Sequence, residues 1–379
     1  MSKQQSKTPE AGAQAPVKSN LGGEPAKPLE TRHVFLDTQV YRNLRHNPAN
    51  RALTLLLEQI EAHRVVLHTT DITLMEVKRQ IRESVIAHSR ELGKLEKDLA
   101  QWRKASPDKG PSAPITMDVD VLAEEMFEQF RGVLLGDCKA VTHAALSIPA
   151  GDVFDRYFRR EPPFHGEESK EFPDAFTLEV LSRWCETERE RLYVVTRDGA
   201  MLKAADEHPL MLTMPTLHQV LASASADLDP DGDAAALAET TINGQDFDGS
   251  FEAAMQDQIR SMVFIYAGEL AEGEAYQGEL LSIEQIDGWT VVGLSGGRIT
   301  LILSAAVRVK VEVQYEDRED AIYDREDDVW FGAESGSTEV EEEVRLEVLV
   351  DLDRARGAVL EARILTPEVT IYGPSEYDY

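Results

Sequence analysis

Apolar residues recur along this chain with two different periods, and the change from one to the other divides it. In the N-terminal half, short unbroken apolar runs alternate with stretches whose apolar residues fall every three or four positions. Val34–Leu36 and Leu192–Val195 are such runs, and residues 64–68 read as a further strand. An unbroken run bounded by polar residues is the pattern of a parallel strand covered on both faces. Between the runs, the spacing of Leu53, Leu56, Leu57 and Ile60 predicts a helix from Pro48 to about Ala62. A long helix capped by Thr70 or Asp71 is predicted to run to about Lys104, with Ile72, Met75, Ile81, Val85, Leu92, Leu95 and Leu99 at helical spacing. Further helices are expected over about 118–134, 152–158, 173–188, from Gly199 and over 218–223, with short apolar segments near Ala140 and Met211. This alternation predicts a three-layer α/β/α domain around a parallel sheet.

After about Ser250 the period becomes two. Val307, Val309, Val311, Val313 and Tyr315 alternate with Arg308, Lys310, Glu312 and Gln314, the signature of a half-buried antiparallel strand. A helix over 251–263 and strands over 279–283, 289–294, 299–303, 344–350 and 359–365 complete a smaller, mainly antiparallel β domain. Residues 1–31 hold almost no large apolar side chains and are expected to be a disordered tail. The division is therefore 1–31 tail, 32–223 α/β domain, 224–249 linker rich in Ala, Asp, Gly and Ser, and 250–379 β-rich domain.

Charge sharpens that division. The formal net charge is −30, yet 36 of the acids and only 10 of the bases lie from Ala226 onward. Strong acidity argues against a nucleic-acid partner because phosphates are repelled, but here the argument reaches only the C-terminal domain. Residues 316–328 form its most acidic loop, either a solvated surface or a nucleic-acid mimic that covers a cleft until RNA or a protein partner displaces it. Two cysteines, Cys138 and Cys185, provide neither a disulfide framework nor a thiolate metal cage and are expected to be buried thiols. No apolar run approaches the length of a membrane span or a signal core, so a cytoplasmic protein with no membrane partner is predicted.

Chemistry enters through four acids. Asp37 follows the first strand and Asp198 follows the run at 192–195, so both stand where open α/β sheets form their sites, beyond the strand carboxyl ends. Glu76 lies four residues after Ile72, on or beside the buried face of the long helix, where an unpaired acid would suffer desolvation. Asp174 sits in the first turn of the helix opened by Pro173. Carboxylate oxygens are the hard ligands that Mg²⁺ or Mn²⁺ prefers, and such a cluster makes a metal-dependent phosphodiesterase plausible. Asp37, Asp174 and Asp198 also have a plainer reading, since Asp is a good helix cap and turn former, whereas Glu76 has the weakest plain explanation of the four.

The run Phe35-Leu36-Asp37-Thr38, the acid in Thr73-Leu74-Met75-Glu76-Val77, the segment Lys170-Glu171-Phe172-Pro173-Asp174-Ala175-Phe176 and the run Val194-Val195-Thr196-Arg197-Asp198-Gly199 together resemble the PIN domain. The resemblance covers about residues 32–223 and is nearest to the branch with a Lys-Glu-x-Pro-Asp-Ala segment. It implies a Mg²⁺- or Mn²⁺-dependent ribonuclease with Asp37, Glu76, Asp174 and Asp198 as its acids, and products carrying 5′-phosphate and 3′-hydroxyl. Lys170, which recurs in that branch, would contact substrate phosphate, a metal-bridging carboxylate, or only solvent. Thr38 and Thr196 would hold metal-bound waters or merely shape turns, and Arg42 would contact single-stranded RNA through its phosphates or lie idle on the surface. Tyr157, Phe158 and Phe164 would either stack unpaired bases or pack locally. The alternative function is a catalytically silent module of the same fold that binds RNA or a protein.

Overall fold

The computed structural model describes residues 26–105, 118–164, 171–229, 231–244, 247–318, 321–324, 329–366 and 368–373. The chain divides into two compact units, one comprising Pro25–Asp231 with Val291–Ser295, the other Gly232–Thr290 with Gly296–Tyr379.

In the first unit the order is β1 (His33–Leu36), α1 (Thr38–Asn43), α2 (Arg51–Glu61), β2 (Val66–Thr70), α3 (Asp71–Ala105), α4 (Val119–Gly132), β3 (Val141–His143) and α5 (Ala150–Arg159). Then come α6 (Phe172–Glu188), β4 (Leu192–Val195), α7 (Gly199–Asp206), β5 (Met211–Met214) and α8 (Leu217–Ser225). The strands form one five-stranded sheet in the order β3-β2-β1-β4-β5, every pairing parallel. Val34, Phe35, Leu36 and all of β4 are buried, as expected of strands covered on both faces. The chain builds β1 to β3 in one direction and then returns to place β4 on the other side of β1. The carboxyl ends of β1 and β4 therefore flank the point where strand order reverses, and a crevice opens there.

Local chemistry explains the helix limits. Asn50 caps α2 by accepting Ala52 N–H at 2.9 Å, so α2 begins three residues after Pro48. Thr70 Oγ1 accepts Thr73 N–H at 3.0 Å and is the cap of α3, whereas the Asp71 carboxylate also receives Leu146 N–H. The buried residues of α3 include Ile72, Thr73, Val77, Ile81 and Val85. Met75 is 60% exposed and Leu95 46%, a correction to the stripe predicted for that helix. Asp118 caps α4 through Val121 N–H, and a π-helical turn, Val133–Asp137, extends that helix. Both cysteines are buried and reduced. Glu30 and Thr31, assigned above to the tail, are tied to the β4 region, Glu30 N–H to the Tyr193 hydroxyl at 3.1 Å and the Thr31 hydroxyl to Arg191 O at 2.9 Å. Residues 1–25 lie outside the described residues.

One core feature has no counterpart among the expectations. His33 on β1, His68 on β2 and His143 on β3 form a hydrogen-bonded series, His33 Nδ1 to His68 Nε2 at 2.9 Å and His68 Nδ1 to His143 Nε2 at 2.8 Å. Parallel register sets His68 opposite Phe35 and Val141, so the three rings climb diagonally across one sheet face. Trp184 of α6 packs on all three, with ring centroids 4.9, 4.4 and 5.9 Å away.

The second unit contains α9 (Asp233–Ile242), α10 (Phe247–Arg260), β6 (Val263–Tyr266), β7 (Glu274–Ser295), β8 (Arg298–Asp317), β9 (Ile322–Asp324), β10 (Val329–Phe331), β11 (Glu334–Asp353), β12 (Val359–Ile364) and β13 (Glu368–Ile371). Part of the stretch expected to be a linker is thus helix, because Ala234, Ala238 and Ile242 recur every four residues and are buried. A four-stranded antiparallel sheet runs β12-β11-β8-β7, and β8 pairs with β11 over its whole length. Separate strands expected over 279–294 and 299–315 are single long strands, β7 and β8. A second small pair, β13 with β6, is parallel. Within the acidic loop at 316–328, β9 pairs antiparallel with β10, and residues 319–320 and 325–328 lie outside the described residues.

Candidate active site

Asp37 occupies the N-cap position of α1 with extended backbone, but its side chain does not cap the helix. Its N–H is bound to Val195 O at 3.0 Å, which fixes it against the end of β4. Thr196 Oγ1 donates to Asp37 Oδ2 at 2.7 Å, and Thr38 Oγ1 lies 3.1 Å from Oδ1. The carboxylate is therefore buried and oriented by two hydroxyls, each oxygen holding one. Helix capping does not explain this aspartate.

Thr196 couples the two strand ends. Its hydroxyl gives its proton to Asp37 and accepts the N–H of Asp198 at 3.0 Å. Asp198 in turn caps α7, Oδ1 accepting Met201 N–H at 2.8 Å, so the plainer reading holds for one of its oxygens. The residue is exposed at the rim. Glu76 is half-buried on α3, and the Thr38 hydroxyl bonds to its carboxylate as well as to that of Asp37. One hydroxyl proton cannot serve both acids at once. Burial and the Asp37 charge push Glu76 above the usual carboxylate range, with Arg79 and the Thr38 bond opposing them.

Asp174 lies in the first turn of α6, after Pro173 and after Glu171 at the N-cap. Burial raises it to about 7, and the charges of Asp37, Glu76, Asp198 and Glu171 act in the same direction. Among the described residues, every charged neighbour that shifts Asp174 is an acid. The four acids from β1, α3, α6 and the β4 end thus meet in one electrostatic field, and Glu171 joins them as a fifth not singled out in the sequence. Its signal was available, because it stands within the same short segment three residues before Asp174.

Arg42 is exposed on α1 and forms no salt bridge among the described residues. Lys170 lies outside the described residues. Thr38 and Thr196 direct their hydroxyls at Asp37, which adds a positioning role to the water-holding or turn-forming roles expected of them. Tyr41, fully buried on α1, has a hydroxyl with no hydrogen-bond partner among the described residues.

Among the described residues no three His, Cys, Asp or Glu side chains are grouped closely enough to hold a metal ion. The donor chemistry nevertheless fits a hard divalent cation, being all carboxylate oxygen and, among the described residues, uncompensated by positive charge at Asp174. An ion of the Mg²⁺ type retains several waters and binds through one or two carboxylates, which wider spacing among the acids accommodates.

A parallel α/β/α sheet with acids gathered where its strand order reverses defines the class of this unit. Its family follows from comparison: residues 34–201 match the family model described as PIN domain, and this part of the chain is a PIN domain, nuclease-like in its class. No curated protein and no solved structure matches the chain. Among the described residues no helix is long and apolar enough to cross a membrane.

Proposed function

We propose that the PIN domain is a metal-dependent endoribonuclease that hydrolyses phosphodiester bonds of single-stranded RNA, with Asp37, Glu76, Asp174 and Asp198 as its acids and Mg²⁺ or Mn²⁺ as its cofactor. The observation that carries the reading is the field at Asp174, in which every shifting charge among the described residues is negative and the group is driven to about 7. A buried carboxyl surrounded by acids is costly to the fold and suits a site that binds a cation. The bound ion supplies charge neutralisation for phosphate and acidifies a coordinated water. Asp37, held by Thr196 and Thr38, presents its oxygens in a fixed orientation, and Asp174, raised to about 7 by burial and the surrounding acids, would be one of the carboxylates that hold the ion. Arg42, exposed on α1, is a side chain available to backbone phosphate.

Mn²⁺-dependent cleavage of a single-stranded RNA by the full chain, lost in Asp37→Asn, tests this reading. Undiminished cleavage in that variant would assign the activity to another site or a contaminant. RNA binding with no cleavage in any metal would favour the silent module. On the ribonuclease reading the acidic C-terminal unit restrains the enzyme or binds a protein partner in the cytoplasm. Neutralising Glu316 and Asp317 in the full chain should then raise the cleavage rate, and an unchanged rate would remove the restraint from these two residues.

A further inference from the structure

Helix α5 carries two large aromatic side chains outward, Phe154 at 43% and Phe158 at 75% exposure. They are four residues apart, hence neighbours on one helical face, and their rings stack with centroids 6.2 Å apart and planes 28° apart. Beneath them lies an aromatic floor. Tyr157 packs edge-on to Phe164 at 5.4 Å, and both meet Phe172, at 5.2 and 5.0 Å. Phe164 is buried, and with Ile148, Val153 and Ala175 it anchors α5 without help from the outward pair. Of the three aromatics considered in the sequence for stacking, Tyr157 and Phe164 thus serve packing, and only Phe158 is free to meet a ligand; Phe154 joins it.

The pair is continuous with the candidate active site. Phe154 touches Phe172 at 5.2 Å, and Phe172 opens the helix that carries Asp174 two residues later. Arg159 and Arg160 are exposed at the adjoining end of α5, Arg159 beside Glu161 just beyond the helix; of the helix's own acids Asp152 pairs with Arg183 and Asp155 is exposed. Two rings fringed by charge are too small an apolar area for a stable protein interface, which buries about 800 Å² per partner. They are the size and chemistry of a stacking platform for bases, whose faces are apolar whatever their sequence.

We propose that Phe154 and Phe158 form a base-stacking platform that seats unpaired nucleotides of the substrate strand beside the acidic cluster. The proposal rests on the ribonuclease reading and adds a source of selectivity for single strands, since bases paired in a duplex have no free face to offer.

The test is binding of a fluorescein-labelled twelve-nucleotide single-stranded RNA to the full chain in EDTA, beside an abasic strand of equal length. Phe158→Ala should weaken binding of the base-bearing strand roughly 5- to 100-fold and leave the abasic strand unchanged. Phe158→Trp should restore affinity, and its fluorescence should be quenched as the strand binds. Equal affinity of wild type and Phe158→Ala, or equal loss for both strands, would overturn the platform. So would a shift in oligomeric state on sedimentation, which would make the rings a protein interface. Because no cleavage is measured, a wild type that binds through Phe158 but never cuts would sink the ribonuclease reading and leave the platform standing. A wild type that cuts with Phe158→Ala unaltered in affinity would do the reverse.

Discussion

The hydroxyl of Thr196 donates a 2.7 Å hydrogen bond to Asp37 Oδ2, joining residues 159 positions apart in the chain at the ends of two neighbouring parallel strands. The bond is buried, and its acceptor is a carboxylate also bound by Thr38. Thr196→Val keeps the shape and removes the donor. It should cost about 1.5–3 kcal/mol, the range for hydrogen bonds to charged groups, and lower the urea midpoint. Thr196→Ser should recover most of the loss. If valine were tolerated at wild-type stability, the Thr196 hydroxyl would not be what holds the Asp37 carboxylate in place.

Acids that raise one another's proton affinity destabilise the metal-free fold. Glu76→Gln and Asp174→Asn should each therefore raise the melting temperature of EDTA-treated protein, by an amount corresponding to about 0.5–2 kcal/mol. The same variants should lose the stabilisation that Mn²⁺ confers on the wild type, because a cation that binds only the folded state stabilises it by mass action. A drop in melting temperature in both variants would mean that the carboxyls are structural partners instead of mutual burdens.

Tyr41 offers a smaller, independent test. Its ring packs edge-on to Phe130 at 5.4 Å, but its buried hydroxyl has no partner among the described residues, and burial drives that hydroxyl further from ionisation. Removing an unsatisfied buried polar group is neutral or favourable. Tyr41→Phe should match or exceed wild-type stability by up to about 1 kcal/mol, measured by denaturant titration. A loss of that size would show that an ordered water or another group holds the hydroxyl in solution.

How much of this was legible beforehand depends on range. Asp37 and Asp198 were visible because each ends an apolar run, Asp174 because Pro173 marks a helix start, and Glu76 because it interrupts an apolar face. Those are local signals. The threonine hydroxyls aimed at Asp37 and the shared bond of Thr38 depend on which strand ends lie side by side, and spacing in the chain carries no trace of that. The full length of the strands in the second unit is a similar case. The alternation over 307–315 and the run over 344–350 announce parts of β8 and β11, but Glu341, Glu342 and Glu343 mask the alternation before Val344, and the ladder in which Val340 faces Val311 and Val344 faces Val307 carries β11 back to Glu334. His33, His68 and His143 look unremarkable in sequence until parallel register lines them up.

That histidine series sets a pH dependence. His68 is 1% exposed, and burial, reinforced by the neighbouring His143 and His33, lowers it to about 3; His33 and His143 are also lowered, chiefly by burial. Near His33, Glu190 opposes the shift and Arg32 adds to it, while Trp184 covers the face with an uncharged ring. Neutral imidazoles satisfy both nitrogen contacts with one proton each. One additional proton fits at an outer nitrogen, but a second would set two N–H groups against each other and break the series. A group lowered in the folded state stabilises it above the unfolded pKa of 6.5, and that contribution fades as pH falls. His68 alone should therefore cost about 2 kcal/mol between pH 7 and pH 5, with His33 and His143 adding in the same direction. Denaturant midpoints across that interval measure the loss. His68→Gln should flatten the profile while lowering stability at pH 7. A wild-type profile flat from pH 7 to 5, or a variant profile as steep as wild type, would mean that the three rings are not buried and neutral together.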